Sequence, residues 1–347
     1  MAVVAVLIVF RLLLPGLVRN YVNNRVLNHI PGYHGHVDDI DIALIRGAYV
    51  INGLRLFKNG NDKPMLDFPK TDISIQWSAI FHGKIVSKIK MLHPRFNYYV
   101  TANTLSKEET PQKNDWTTAL KKLVPITINR LIVEDGQFLY ADIVESPDID
   151  LSVKDIRLVA TNMGNVVDRS KVLPSTLQLH GKSFGNGSLD VTANMNLLNE
   201  IPDMDVNLAL RNSNVTALND ASRSIAGFDF TKGQFNFFSE FAINKGYLKG
   251  YFKPMFSDIK LQDTAGQPHS NLVKHVWEGI IGFFGFVLKN KPKDTFATKI
   301  PIEGDLNDPK TKIWVLITNV LRNGFISPFK KQVDNDINFS DASKKKS

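Results

Sequence analysis

The chain has 347 residues, 43% of them apolar, a net charge of +8 and no cysteine. It is long enough for two domains, or for one large all-β fold with a sizeable core. Disulfides and thiolate chemistry are excluded. The basic balance suits anionic lipid or nucleic acid and is also common in chains with neither partner; nothing resembles a nucleic-acid tract except the short run Lys344-Lys345-Lys346.

Ala2 to Val18 is apolar except for Arg11, Pro15 and Gly16. As a helix it spans about 25 Å, slightly short of a ~30 Å hydrocarbon core. We read it as an uncleaved membrane anchor whose lipid-facing residues include Val3, Val6, Leu7, Val9, Phe10 and Leu13. A cleaved signal peptide and a buried helix are the alternatives, although Leu17-Val18-Arg19-Asn20-Tyr21 offers no small-x-small cleavage site. Arg19 and Arg25 follow the apolar run and no basic residue precedes it, so charge alone places the bulk of the chain in the cytoplasm. Tyr21 to Ile30 keeps helical spacing, and Pro31-Gly32 stops it. The anchor segment is therefore 1–30.

Residues 31–104 form a first β segment. Ile40 and Ile42 alternate with Asp39 and Asp41, Arg46-Gly47 turns the chain, and Tyr49, Ile51, Leu54 and Leu56 return it. A loop at Lys58 to Pro64, then runs at Ile73–Trp77, Ile85–Leu92 and Phe96–Val100, complete the segment. Residues 105–124 read as a polar linker followed by a short helix from Trp116 to Val124. The third segment, 125–328, opens with alternation through Ile126, Ile128, Leu131 and Val133 into Asp135-Gly136, a hairpin signal between apolar runs.

The clearest pattern lies in that segment. Leu189, Val191, Ala193, Met195 and Leu197 alternate with Ser188, Asp190, Thr192, Asn194 and Asn196. After a break at residues 199–203, Met204, Val206, Leu208 and Leu210 alternate with Asp205, Asn207 and Arg211. Successive side chains on a strand point to opposite faces, so this is a hairpin with one dry and one wet face. Val215 to Ala226 reads as a small helix or ordered loop, and Phe235, Phe237, Phe241 and Ile243 share one face of the next strand. Leu272 to Leu288 is a nearly all-round apolar helix, read as a plug or cap for the sheet or else as a second span, with Lys274, His275 and Glu278 weighing against the bilayer. Ile313 to Phe325 is a further helix, and 329–347 reads as a disordered basic tail.

Several short words occur in a fixed order: Tyr21-Val22-Asn23, Tyr33-His34-Gly35-His36-Val37-Asp38-Asp39-Ile40, Arg46-Gly47-Ala48-Tyr49, Leu54-Arg55-Leu56, Ile75-Gln76-Trp77, Gly83-Lys84-Ile85-Val86 and the His93-Pro94 turn. Ile132-Val133-Glu134-Asp135-Gly136-Gln137-Phe138, Asn212-Ser213-Asn214-Val215, Leu218-Asn219, Thr231-Lys232-Gly233 and a Gly304-to-Pro309 word follow. In this order the chain resembles the AsmA-like superfamily, and most of all its domain-of-unknown-function 748 branch. That resemblance implies a mainly β protein, an elongated curved antiparallel sheet forming a β-groove, with an N-terminal membrane-anchor helix and C-terminal helices. It also implies a single span in the inner membrane of a Gram-negative-type bacterium, with the bulk of the chain in the periplasm.

The expected function is binding or transfer of phospholipid or another envelope lipid in outer-membrane biogenesis, with the inner membrane and an envelope protein as partners and no nucleic acid. The groove candidates are Leu189, Val191, Met195, Leu197, Val206, Leu208, Leu210, Phe235, Phe237 and Phe241. The alternative is a non-catalytic scaffold of the envelope with a self-filled β core. No cofactor or metal is expected: His34 and His36 beside Asp38 and Asp39 read as a surface loop. Alternating Asp38, Asp39 and Asp41 read as a wet strand face, and Ser188 and Ser239 lack nucleophile-elbow context, so no enzyme is expected.

Overall fold

The computed structural model describes residues 2–43, 47–75, 86–100, 127–142, 149–163, 171–197, 201–226, 228–263, 295–297, 299–307 and 332–342. The chain is mainly β and divides into two compact units, Met1–Tyr140 with Lys154–Val166, and Ala141–Val153 with Val167–Ser347. The linker at 105–124 and both C-terminal helices expected from sequence lie outside the described residues.

In the first unit helix α1 (Ala2–Tyr21) runs on through a π-helical turn, Val22–Val26, and a 3-10 turn, Leu27–His29, and ends before Gly32 at φ 80°. The strands are β1 (Tyr33–His36), β2 (Asp39–Ala43), β3 (Ala48–Lys58), β4 (Pro64–Ile75), β5 (Val86–Leu92), β6 (Arg95–Val100), β7 (Thr127–Asp142) as far as Tyr140, and β8 (Ile149–Thr161) from Lys154 onward. β1 and β2 both pair antiparallel with β3, β3 with β4, and β4 with β5 and β6. Register brings Ile42, Tyr49, Ile73, Ile89 and Leu131 into one cross-strand row, and Ile40, Ile51, Thr71, Met91 and Val133 into the next. That face carries the core, where Leu27, Val37, Phe68 and Ile73 are all essentially solvent-free. Each such side chain contributes about 1.5–3 kcal/mol by burial.

Three sequence words acquire a physical reason here. The Asn23 side chain donates to the Val37 carbonyl at 3.0 Å and accepts from the Val37 N–H at 2.8 Å, standing in for a neighbouring strand. A Cβ on Gly35 would lie 2.8 Å from the Arg55 carbonyl oxygen and 3.3 Å from Leu27 Cδ2, so only glycine lets the helical turn sit this close to the sheet. Gly53, at φ 64°, leaves room for the Asp38 carboxylate, which takes an ion pair from Arg55 at 2.9 Å.

Two turns expected from the sequence are corrected. Asp135-Gly136 is not a hairpin: β7 runs straight through it, and Asp135 takes up the strain at φ 53° as a kink within the strand. Nor does His93-Pro94 reverse the chain. Leu92 pairs with Lys70 and Arg95 with Asp67 in unbroken antiparallel register, so β5 and β6 follow one line with a kink at His93, φ 53°. The sheet is also not purely antiparallel, because β5 and β7 pair in parallel from Val86–Thr127 to Leu92–Glu134. That pairing draws Thr127–Tyr140 into the first unit, so the segment break expected at 125 falls inside it.

The second unit contains β9 (Ser175–Lys182), β10 (Ser188–Asn196), β11 (Asp203–Asn214), helix α2 (Asn219–Ala226), β12 (Phe228–Asn244), β13 (Tyr247–Asp263), β14 (Thr295–Ala297) and β15 (Ile300–Asp305). Strands β9 to β13 pair antiparallel in sequence order, and β14 and β15 both pair with β13. Asn212 on β11 (φ 56°), Gly233 on β12 (φ 140°) and Asp258 on β13 (φ 54°) break the regular register, a line of bulges that bends this end of the sheet. A 3-10 turn, Val215–Leu218, leads into α2 with the Asn214 side chain accepting from the Thr216 N–H at 3.0 Å. Asn219 repeats the device of Asn23, donating to the Phe230 carbonyl at 3.0 Å and accepting from its N–H at 2.8 Å. Val215, Phe228, Phe230 and Phe256 form the small core beneath it.

The segment 332–342 is packed, not disordered as its polar composition suggests. It lies on the face of β12 and β13 opposite the apolar rows, where Phe238 and Met255 meet Val333. Glu240 accepts from the backbone N–H groups of Asn335, Asp336 (3.0 Å) and Ile337 (3.2 Å). Fully buried Lys253 pairs with Asp334 and donates to the Gln332 carbonyl at 2.6 Å. A charge this deep requires such partners, since an unpaired buried ion costs several kcal/mol.

Candidate functional site

The ten groove candidates fall on one face of the second unit's sheet. Leu189 opposes Leu210, which opposes Phe237, which opposes Pro254. The next row is Leu179, Val191, Leu208, Ser239, Phe252 and Ile300. The next is Leu177, Ala193, Val206, Phe241, Gly250 and Ile302, followed by Met195, Met204, Ile243 and Leu248. Beyond the bulge Phe235 opposes Phe256. Side-chain alternation and register together therefore produce an apolar surface several strands wide.

The two ends of this surface differ. Ala193, Met195 and Val206 form one cluster, packed by Val191 and Leu197; Ile243, Leu248 and Ile302 form another; Met204 and Phe241 touch both. Phe241 lies against Gly250, where an added Cβ would stand 2.4 Å from the Phe241 Cβ. The other end is aromatic: Phe184 and Phe235 stack at 6.0 Å, Phe235 and Phe237 at 6.4 Å, and Phe237 meets Phe252 at 5.7 Å. Met195, Val206 and Leu210 are buried, whereas Leu189, Val191, Leu197, Leu208, Phe235, Phe237 and Phe241 are only half-buried.

Burial runs against polarity on β12 and β13. Asn236, Glu240 and Lys253 are at most 1% exposed, the last two bonded to the 332–342 segment, while Phe237, Phe241 and Phe252 on the apolar face keep partial exposure. Burial pushes the Glu240 carboxyl up, against the three N–H groups that favour its charge. Burial also raises the Tyr251 phenol, whose oxygen accepts from the Asp334 N–H at 2.9 Å. Burial opposes the charge of Asp334, but Lys253 and Lys299 hold its carboxyl below the usual range. Lys299 in turn is desolvated, yet Asp336 and Asp334 hold its ammonium above the ordinary value.

Sequence reasoning missed a second apolar feature. In the first unit a partly open pocket of about 260 Å³ is lined by Val18 and Val22 of the helical segment and by Ile40, Ile42, Tyr49 and Ile51 on β2 and β3. Burial raises the Tyr49 phenol there. The alternation of Ile40, Ile42, Tyr49 and Ile51 is legible in the sequence, but nothing in it says that Val18 and Val22 of the anchor segment pack over that face.

Of the anchor candidates, the side chains of Val3, Val6, Leu7, Val9 and Phe10 lie outside the described ones, and Leu13 is 59% exposed. Among the described residues no helix is long and apolar enough to cross a membrane. His34 bonds Asn59 at 3.0 Å and stacks on Phe57, whereas His36 faces Asp38 at 3.5 Å, so the two imidazoles do not converge. Among the described residues no three His, Asp or Glu side chains gather as a metal site. No family model matches the chain, and no curated protein matches it.

Proposed function

We propose that the chain is a non-catalytic lipid-handling protein of AsmA-like type, held at the inner membrane through α1 with its bulk in the periplasm, and that acyl tails lie along the apolar face of β9–β13. The observation that carries this reading is the inverted burial: the protein covers its own polar face with residues 332–342 and leaves phenylalanines and leucines half open on the other. Each methylene that leaves water for such a surface contributes about 0.8 kcal/mol, so tails bind without polar contacts while headgroups stay solvated. Basic residues complement anionic bilayers.

A scaffold reading has one observation in its favour. Met204 and Phe241 join two clusters and fill one end of the face with the chain's own side chains. Native mass spectrometry of the full chain separates the two readings. Lipid transfer predicts co-purified phospholipid that is lost in Val191→Glu and Leu208→Glu variants whose circular dichroism is unchanged. A lipid-free wild-type protein overturns it in favour of the scaffold.

A further inference from the structure

We propose that the cavity beneath the helical segment of the first unit is a binding site for a single fatty acyl chain. The helical segment is tied to the sheet by the reciprocal Asn23–Val37 bonds and the Leu27–Gly35 contact, and Val18 and Val22 also reach the core of β2 and β3, with a pocket left between them. The space is walled by β-branched side chains, Val18, Val22, Ile40, Ile42 and Ile51, whose stiffness prevents them from filling it. Its volume of about 260 Å³ exceeds the ~150 Å³ of apolar cavities that stay dry and take up benzene. The pocket is partly open to solvent, so a hydrocarbon seated in it removes apolar surface of both partners from water.

The described lining carries no charge, and Tyr49 is its one polar side chain, so the site takes a tail and excludes a headgroup. Leu12, Leu13 and Leu17 of the same helix are 74%, 59% and 59% exposed. A helix that exposes leucines and also lines an apolar pocket favours a ligand drawn from a hydrocarbon phase over a soluble small molecule. The site is distinct from the face of β9–β13 and rests on the lipid-handling proposal only for the class of its ligand.

The test uses the full chain in detergent and a fatty acid bearing a photoactivatable diazirine near its terminal carbon. Labelling of peptides containing Val18, Val22 and residues 40–51, competed by decanoic acid, is expected. In competition, octanoic, decanoic and dodecanoic acids should improve by about fourfold per added methylene until the cavity is full. Ile42→Phe and, independently, Val22→Phe fill the space and should weaken labelling there at least tenfold without lowering thermal stability. Label absent from these peptides, or unaffected in both variants while they remain folded, overturns the site. Label here with none on β10–β12 upholds it and removes the groove of the second unit, and the reverse pattern removes this site alone.

Discussion

The imidazole of His93, at the kink between β5 and β6, and the carboxylate of Asp135 on β7 meet at 2.7 Å, and both residues hold left-handed backbone at φ 53°. The kinks are cross-braced by the backbone: His93 N–H donates to the Glu134 carbonyl at 2.9 Å and Gln137 N–H to the Pro94 carbonyl at 2.8 Å. Two strands thus bend together, which keeps their ladder intact on both sides of the bend.

Backbone conformation, not the ion pair, is what Asp135 supplies. Both side chains are more than half exposed, and exposed pairs contribute little. Asp135→Gly is expected to be neutral within about 0.5 kcal/mol, whereas Asp135→Val costs about 1–2 kcal/mol because a β-branched residue resists positive φ. Urea unfolding of the two variants checks the order, and equal losses would return the role to the side-chain pair.

Asn23→Ala should release the helical segment from the first unit. It leaves both backbone groups of Val37, a residue 1% exposed, without their partner. The expected cost is about 1–3 kcal/mol, read as faster amide exchange at Val37 and Leu27. Asn23→Asp keeps the acceptor and loses the donor, so its effect falls between wild type and alanine.

The 332–342 segment gives the second unit opposing responses to pH. Glu240 has a folded pKa above its ordinary 4.5, so the stability it links is present below that value and lost as pH rises through the raised one. Asp334 has a folded pKa below its ordinary 3.8, so its contribution is present above 3.8 and lost as pH falls through the depressed value. Lys299 is raised above 10.5, and its share persists until strongly alkaline pH. Glu240→Gln should abolish the decline on the alkaline side of 4.5 and spare the acid-side loss, as measured by urea midpoints across the acid and neutral range.

The strand pairings of the second unit were largely legible. Alternation from Ser188 to Leu210 implies one apolar face, and the observed register of Leu189 with Leu210 and Val191 with Leu208 matches it. Period-two patterning is set by the pleat itself and survives any tertiary context. The turn at Asp135-Gly136 was misread because the same dipeptide that closes a hairpin also tolerates the left-handed residue of a kink. Glu240 and Lys253 stand on the polar side of the alternation and are nonetheless dry, since what covers them comes from far along the chain. Alternation reports which side chains share a side and is silent on which side meets solvent.

Glu240 and its cover are separated by 95 positions in the sequence. At roughly 5–20 residues per second of synthesis, the carboxylate and the neighbouring Lys253 ammonium wait about 5–20 s for their partners. During that interval both surfaces of the β12–β13 ribbon are unshielded, one greasy and one ionic. The nascent polypeptide therefore passes through a stage in which a chaperone has more to hold than it will ever find on the finished molecule.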